Sequence, residues 1–174
     1  MTFSMIPREW YESVLELDGA ALRAQGITLL LLDLDNTLSP YRDHEPDGAL
    51  RDFVAELRAA GVEPFILSNS RKPTRVQAFA EKLGVPYLRR AGKPGRGGFL
   101  QALEMMGRRP EEAAMAGDQI FTDILGANRT GIFSILVRPL RMDTVFRLLR
   151  YGLETPFRRC AGTGTFGKRD GGAL

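Results

Sequence analysis

From residue 27 onward the chain alternates short apolar runs with segments whose apolar positions recur at helical spacing, the pattern of a parallel sheet covered by crossover helices. ITLLLLDLD, beginning at Ile27, is almost wholly apolar up to Asp33, as a central strand buried on both faces must be. Asp47 then offers an N-cap, and Leu50, Phe53, Val54 and Leu57 form one helix face that Gly61 ends. VEPFILS reads as the next strand. Pro73 and Thr74 open a helix carrying Val76, Phe79, Ala80 and Leu83, closed by Gly84, and Val85 to Leu88 is a short strand. Phe99, Leu100, Leu103 and Met106 mark another helix, AAMAG a small-residue strand ending at Asp118, and Ile120 to Asn128 a helix. IFSILV is the last strand, and Val145 to Leu153 the last amphipathic helix. The prediction is an α/β fold: a central parallel sheet of about five strands with helices on both faces.

Two stretches lie outside this alternation. Residues 1–26 place Trp10, Val14 and Leu17 at helical spacing and predict a helical extension packed on the sheet. The alternating domain is expected over 27–155. Residues 156–174 form a basic tail; five glycines in its last fourteen residues predict disorder. No internal repeat is visible.

Charge sharpens the picture only through its distribution. The net charge of +3 is too small to indicate a nucleic-acid binder, but residues from Arg138 onward carry +5 and the remainder −2. No strand pair interleaves aromatic and basic residues for base stacking, so no nucleic-acid partner is expected. One cysteine, Cys160, excludes an internal disulfide framework and a Cys-rich zinc site, which suits a reducing, cytoplasmic setting. No apolar run approaches the ~20 residues that span a bilayer.

Three predicted strands end in residues able to handle a phosphate, and ligands of open α/β sheets bind at carboxyl-terminal strand ends. The first ends in Asp33-Leu34-Asp35-Asn36-Thr37, the second in Ser68-Asn69-Ser70, and the small-residue strand in Gly117-Asp118, with Asp123 five residues on. Lys93 lies in a loop before a helix. Each group alone is also what a turn or a helix cap looks like, because Asp, Asn and Ser bond nearby backbone amides. Their common placement at one end of the sheet favours a site. Carboxylates gathered from separate strands repel one another unless a divalent cation lies between them, which implies Mg²⁺. In extended backbone Asp33 and Asp35 point the same way and can address one substrate together.

At these residues the chain resembles the haloacid dehalogenase (HAD) superfamily of phosphatases: DLDNT, the serine of ILSNS, the lysine of AGKP and GDQIFTD match its four motifs in order. The longer string GDQIFTDILGANRTGIFSILVRPL is similar to the YqeG group and, through it, to mitochondrial-type phosphatidylglycerophosphate phosphatases. The resemblance implies a three-layer Rossmann-like fold with Asp33 as the nucleophile that forms an aspartyl-phosphate. It implies Asp35 as general acid and base, and Ser68 and Lys93, with Asn69 beside them, as phosphate-binding residues. Asp118, Asp33 and the backbone carbonyl of Asp35 would hold Mg²⁺, and Asp123 would be a further metal or supporting carboxylate. A cap domain follows the first motif or lies between the second and third in this superfamily. Leu38 to Pro46 and Gly84 to Gly92 leave room for neither, so a capless, subclass III enzyme is implied.

An uncovered site suits a phosphate on a macromolecule or at a lipid surface. Arg71, Lys72 and Arg75 after the second motif, and Arg89, Arg90 and Arg96 around Lys93, ring it with positive charge; Arg71, Lys72 and Arg96 are the candidate substrate contacts. His44 falls in the flap after the first motif. The segment Arg141 to Arg159 mixes seven large apolar residues with five arginines, compatible with peripheral contact to an anionic membrane or with a helix covering the sheet. The expected partner is a phosphorylated substrate, with an anionic phospholipid as first candidate; an oligomer is left open. A nucleotide, a sugar phosphate or a phosphorylated macromolecule is the alternative substrate, and a non-enzymatic phosphorylation switch of the receiver type the alternative function.

Overall fold

The computed structural model describes residues 4–40, 45–142 and 145–160. Its core is a six-stranded sheet in which every neighbouring pair is parallel. The strands are β1 (Glu9–Tyr11), β2 (Leu29–Leu32), β3 (Glu63–Leu67), β4 (Tyr87–Leu88), β5 (Ala113–Gly117) and β6 (Phe133–Val137), in spatial order β1-β6-β5-β2-β3-β4. The helices are α1 (Gly19–Ala24), α2 (Gly48–Ala59), α3 (Pro73–Leu83), α4 (Arg96–Met106), α5 (Leu125–Thr130) and α6 (Val145–Arg158). No further domain is inserted among the described residues, and none of their helices is long and apolar enough to cross a membrane.

The all-leucine strand β2 shows why the sheet is buried on both faces. Successive side chains of a strand point to opposite sides. Leu30 and Leu32 enter one core with Leu50, Phe53 and Leu57 of α2 and Phe79 of α3, while Leu29 and Leu31 enter a second core with Phe99 and Leu103 of α4 and Ala127 of α5. All four leucines are at most 1% exposed; burying each contributes roughly 2 kcal/mol. Asp47 starts α2 as expected, its side chain accepting a 2.8 Å hydrogen bond from the Leu50 amide.

Two expectations are corrected. Five strands become six because residues 9–11, expected in a helix, pair in parallel with β6. Trp10 therefore faces a third cluster with Ile120, Ile124, Leu136 and Phe157, while Tyr11 faces the first core with Val14 and Leu17. Among the described residues of the first 26, only Val14–Glu16, a short 3-10 turn, and α1 are helical. The last helix also runs past residue 155, through Phe157 to Arg158. Residues 161–174 of the glycine-rich tail lie outside the described residues, as does His44.

Candidate active site

The chain builds β2, β3 and β4 outward on one side, then returns to lay β5 and β6 on the other side of β2. The reversal opens a crevice between the carboxyl ends of β2 and β5, where open α/β sheets bind ligands. Asp33 follows β2 directly, its amide donating to the Ala116 carbonyl of β5, and Asp118 follows β5. Adjacent parallel strands thus deliver two carboxylates to one point.

Lys93 is the centre of the cluster. Its Nζ lies 2.7 Å from Asp33 Oδ1, 2.7 Å from Asp123 Oδ1 and 2.7 Å from the Leu67 carbonyl at the end of β3. Burial opposes the ammonium charge, but the Asp123 and Asp33 carboxylates outweigh it and hold the pKa above the ordinary lysine value. Burial also pushes the Asp33 carboxyl up to about 8 against the pull of Lys93, with Asp123 and Asp118 adding repulsion. Asp118 rises to about 6, chiefly through burial and secondly through Asp123. Asp33 and Asp123 share the buried Lys93, and Asp118 beside them has Arg150 at 3.4 Å, so among these groups the carboxylates outnumber the cations.

Asp123 reaches this point through a local irregularity. Residues Ile120–Ile124 form a single π-helical turn ahead of α5, and Asp123 Oδ2 accepts from the Gln119 amide at 3.1 Å. Gly117 makes room for it: a Cβ there would sit 2.4 Å from Asp123 Oδ2.

Asp35 stands outside this trio. Its Oδ1 accepts from Arg75 Nε at 3.0 Å, and Arg75 Nη2 donates to the Pro40 carbonyl. Arg75, expected on the solvent rim, is 3% exposed and anchors the turn after β2. In that turn Asn36 has φ +72, a left-handed conformation that Asn tolerates. Its side chain exchanges hydrogen bonds with the Arg141 backbone at 3.0 and 2.8 Å, and Asn36 Nδ2 and Thr37 Oγ1 each lie 3.4 Å from Asp118.

Ser68 is buried at the end of β3, its Oγ accepting from the Ser70 amide at 3.0 Å. Asn69, expected on the phosphate, clamps the lysine loop: Nδ2 donates to the Lys93 carbonyl at 2.9 Å and Oδ1 accepts from the Lys93 amide at 2.8 Å. Asn69, Arg71, Arg90 and Gly92 line an open cavity of about 650 Å³ at this end of the sheet, and Lys72 is exposed beside it. Arg96 is not brought to this cavity; it lines another, of about 580 Å³, with Arg8, Asn128 and Arg129.

Sequence reasoning missed the contribution of α6. Glu154 is fully buried; its Oε1 accepts from the Ile120 and Phe121 amides at 3.0 and 3.4 Å, and its Oε2 from Arg158 Nη2 at 2.6 Å. The same Arg158 nitrogen donates to the Asp118 carbonyl at 3.1 Å, with the guanidinium carbon 4.1 Å from the centre of the Tyr151 ring. Arg150 Nη2 lies 3.4 Å from Asp118 Oδ2. These residues fix the loop that carries Asp118.

The donor set fits a divalent cation. Asp33, Asp118 and Asp123 each offer an oxygen, all within 4.8 Å of one another, and Asp33 Oδ2 is buried with no hydrogen-bond partner. Hard carboxylate oxygens with excess negative charge suit a hard metal ion. The carboxylate trio includes Asp123, whereas the Asp35 carboxylate is engaged by Arg75.

Residues 2–131 match the haloacid dehalogenase-like hydrolase family. The chain belongs to that family. A relative, YqeG of Bacillus subtilis (strain 168), which bears the name of a probable phosphatase, is 32% identical over 141 residues, covering 81% of each chain. The chloroplastic phosphatidylglycerophosphate phosphatase 1 of Chlamydomonas reinhardtii is 33% identical over 132 residues, 71% of this chain; the chain spans 49% of that relative's length. Among solved structures, 3-deoxy-D-manno-octulosonate 8-phosphate phosphatase from Yersinia pestis superposes with a TM-score of 0.52 at 16% identity, over 82% of this chain and 88% of that one. A Streptomyces avermitilis protein described as a HAD family hydrolase gives 0.55 at 24% identity, over 85% and 81%. These two likenesses establish the fold, and the relatives place the chain with the phosphatases of the family.

Proposed function

We propose that the protein hydrolyses phosphate monoesters with Mg²⁺, through a phosphoryl group carried on Asp33, and that its substrate is phosphatidylglycerophosphate or a closely related anionic lipid. The observation that carries the chemistry is the buried meeting of Asp33, Asp118, Asp123 and Lys93 at the carboxyl ends of the strands.

Asp33 attacks phosphorus through one oxygen. Lys93, fixed by the Asn69 clamp, offsets charge on the transferring group and keeps Asp33 oriented, while the Ser68 hydroxyl and nearby backbone amides supply further donors. Asp35 protonates the leaving oxygen and then takes a proton from the water that hydrolyses the acyl phosphate. Arg75 holds its carboxyl in place. Asp33, Asp118 and Asp123 would hold Mg²⁺, joined by the Asp35 carbonyl as the family resemblance implies, and the ion would supply charge neutralisation of phosphoryl oxygens.

Three things support the lipid over a small metabolite: the uncapped site, the cavity bearing Arg71 and Arg90 in the region of Lys93, where a second phosphate can bind, and the likeness to the phosphatidylglycerophosphate phosphatase of Chlamydomonas reinhardtii. The protein would then work on the cytoplasmic side, in peripheral contact with a membrane. The test is Mg²⁺-dependent phosphate release from phosphatidylglycerophosphate in mixed micelles, beside a soluble aryl phosphate and Asp33→Asn. Fast lipid turnover that Asp33→Asn abolishes is expected. Turnover of the aryl phosphate alone removes the lipid assignment and keeps the chemistry; phosphate release by Asp33→Asn removes the chemistry.

A further inference from the structure

α6 buries charged side chains and leaves apolar ones exposed. A surface helix normally turns apolar residues to the core and charged ones to water. Here Glu154 is fully buried, and the side chains of Arg158 and Arg150 are only 7% and 19% exposed, because all three serve the loop that carries Asp118. Val145, Leu148, Leu149 and Leu153 are instead 73%, 53%, 63% and 68% exposed. At 100° per residue these four fall on one arc with the exposed Gly152 and Pro156, a continuous outward stripe without a charge. They are half of the large apolar side chains exposed among the described residues.

We infer that α6 is a lipid-docking helix, its outward stripe entering an anionic bilayer surface while its inward polar face holds the active-site loop at that surface. Charge selects this occupant. Within residues 138–160 the carboxylates are Asp143 and Glu154, and Glu154 is consumed inside. Exposed Arg141 precedes the stripe and exposed Arg159 follows it. Exposed Arg71, Lys72, Arg89 and Arg90 lie at the same end of the sheet. An apolar stripe flanked by cations is the composition that partitions into anionic lipid. Area argues against a second copy of the chain: the four side chains expose roughly 400 Å², about half of what each partner buries in a stable dimer.

The inference deepens the proposed function by naming the surface at which the site works. It rests on that reading for its effect on turnover, while docking itself does not depend on catalysis. The full chain is sedimented with vesicles of phosphatidylcholine alone and with about 30% phosphatidylglycerol added. Binding is expected to the anionic vesicles and to weaken with salt; Leu149→Glu/Leu153→Glu should weaken it at least ~10-fold. Aryl phosphate turnover and the melting temperature should be unchanged in that variant. Lack of vesicle binding by the intact chain, equal binding by the variant, or a dimer in solution that the variant splits overturns the inference. An intact chain that binds the anionic vesicles but releases no phosphate from phosphatidylglycerophosphate or the aryl phosphate overturns the proposed function instead.

Discussion

Glu154→Ala tests whether the last helix is part of the active site. The substitution removes the acceptor of the Ile120 and Phe121 amides and the carboxylate facing Arg158, all in a position with no exposure. Breaking a buried ion pair from one side costs about 3–5 kcal/mol, and stranded amides add to that unless the helix lets water in. Release of α6 sets the ceiling, so the expected loss is about 3 kcal/mol, a roughly 100-fold faster exchange of the Ile120 and Phe121 amide protons. For a chain of this size that corresponds to a fall in Tm of about 6–12 °C if α6 unfolds with the rest. Glu154→Gln keeps one oxygen for the amides and gives up the charge opposite Arg158, so its exchange rate should fall between those of the parent and Glu154→Ala. The readouts are amide exchange resolved to residues 118–121 and the ratio of kcat to KM. Because Arg158 and Arg150 hold the Asp118 loop, kcat should drop more than binding. Unchanged exchange at Ile120 and Phe121 would refute the claim that α6 fixes this loop.

Gly117→Ala should drive Asp123 off Lys93, because the new Cβ would lie 2.4 Å from Asp123 Oδ2 and 2.5 Å from its Cγ; overpacking of this kind costs about 1–3 kcal/mol, read as a lower Tm together with at least ~10-fold lower activity. Asp33 and Asp118, raised by burial to about 8 and about 6, bind more protons in the folded chain than in the unfolded one between about pH 4 and 8, so the metal-free protein should lose stability as pH rises through that window. A divalent cation must displace those protons, and the rise in Tm on adding Mg²⁺ should therefore grow from pH 5 to pH 8; a shift independent of pH would contradict the carboxylate site.

The strand ends were legible because chemistry and periodicity coincide there: Asp33 stops an apolar run, and Lys93 and Asp118 recur at the positions a parallel sheet brings together. The same rules could not orient α6. Periodicity locates the stripe of Val145, Leu148, Leu149 and Leu153 but does not say which side faces the protein, and Glu154 with Arg158 four residues on reads as a solvated pair. Arg75 was similarly opaque. It looks like one more rim cation until the turn after β2 places the Asp35 carboxylate against it. β1 failed for another reason: three residues are too few to show strand alternation, and Trp10, Val14 and Leu17 satisfy helical spacing by coincidence.

The sheet is also shaped against unwanted company. Its two outermost strands are its shortest, three residues in β1 and two in β4, against five in β5 and β6. A row of open amides and carbonyls is a template on which a foreign strand can grow, and a margin this short offers little to grow on. Without Glu9–Tyr11 the margin would be FSILV, five residues of which Phe133, Ile135 and Val137 are aromatic or β-branched. The N-terminal segment thus works as a guard against edge-to-edge aggregation, whatever the site hydrolyses.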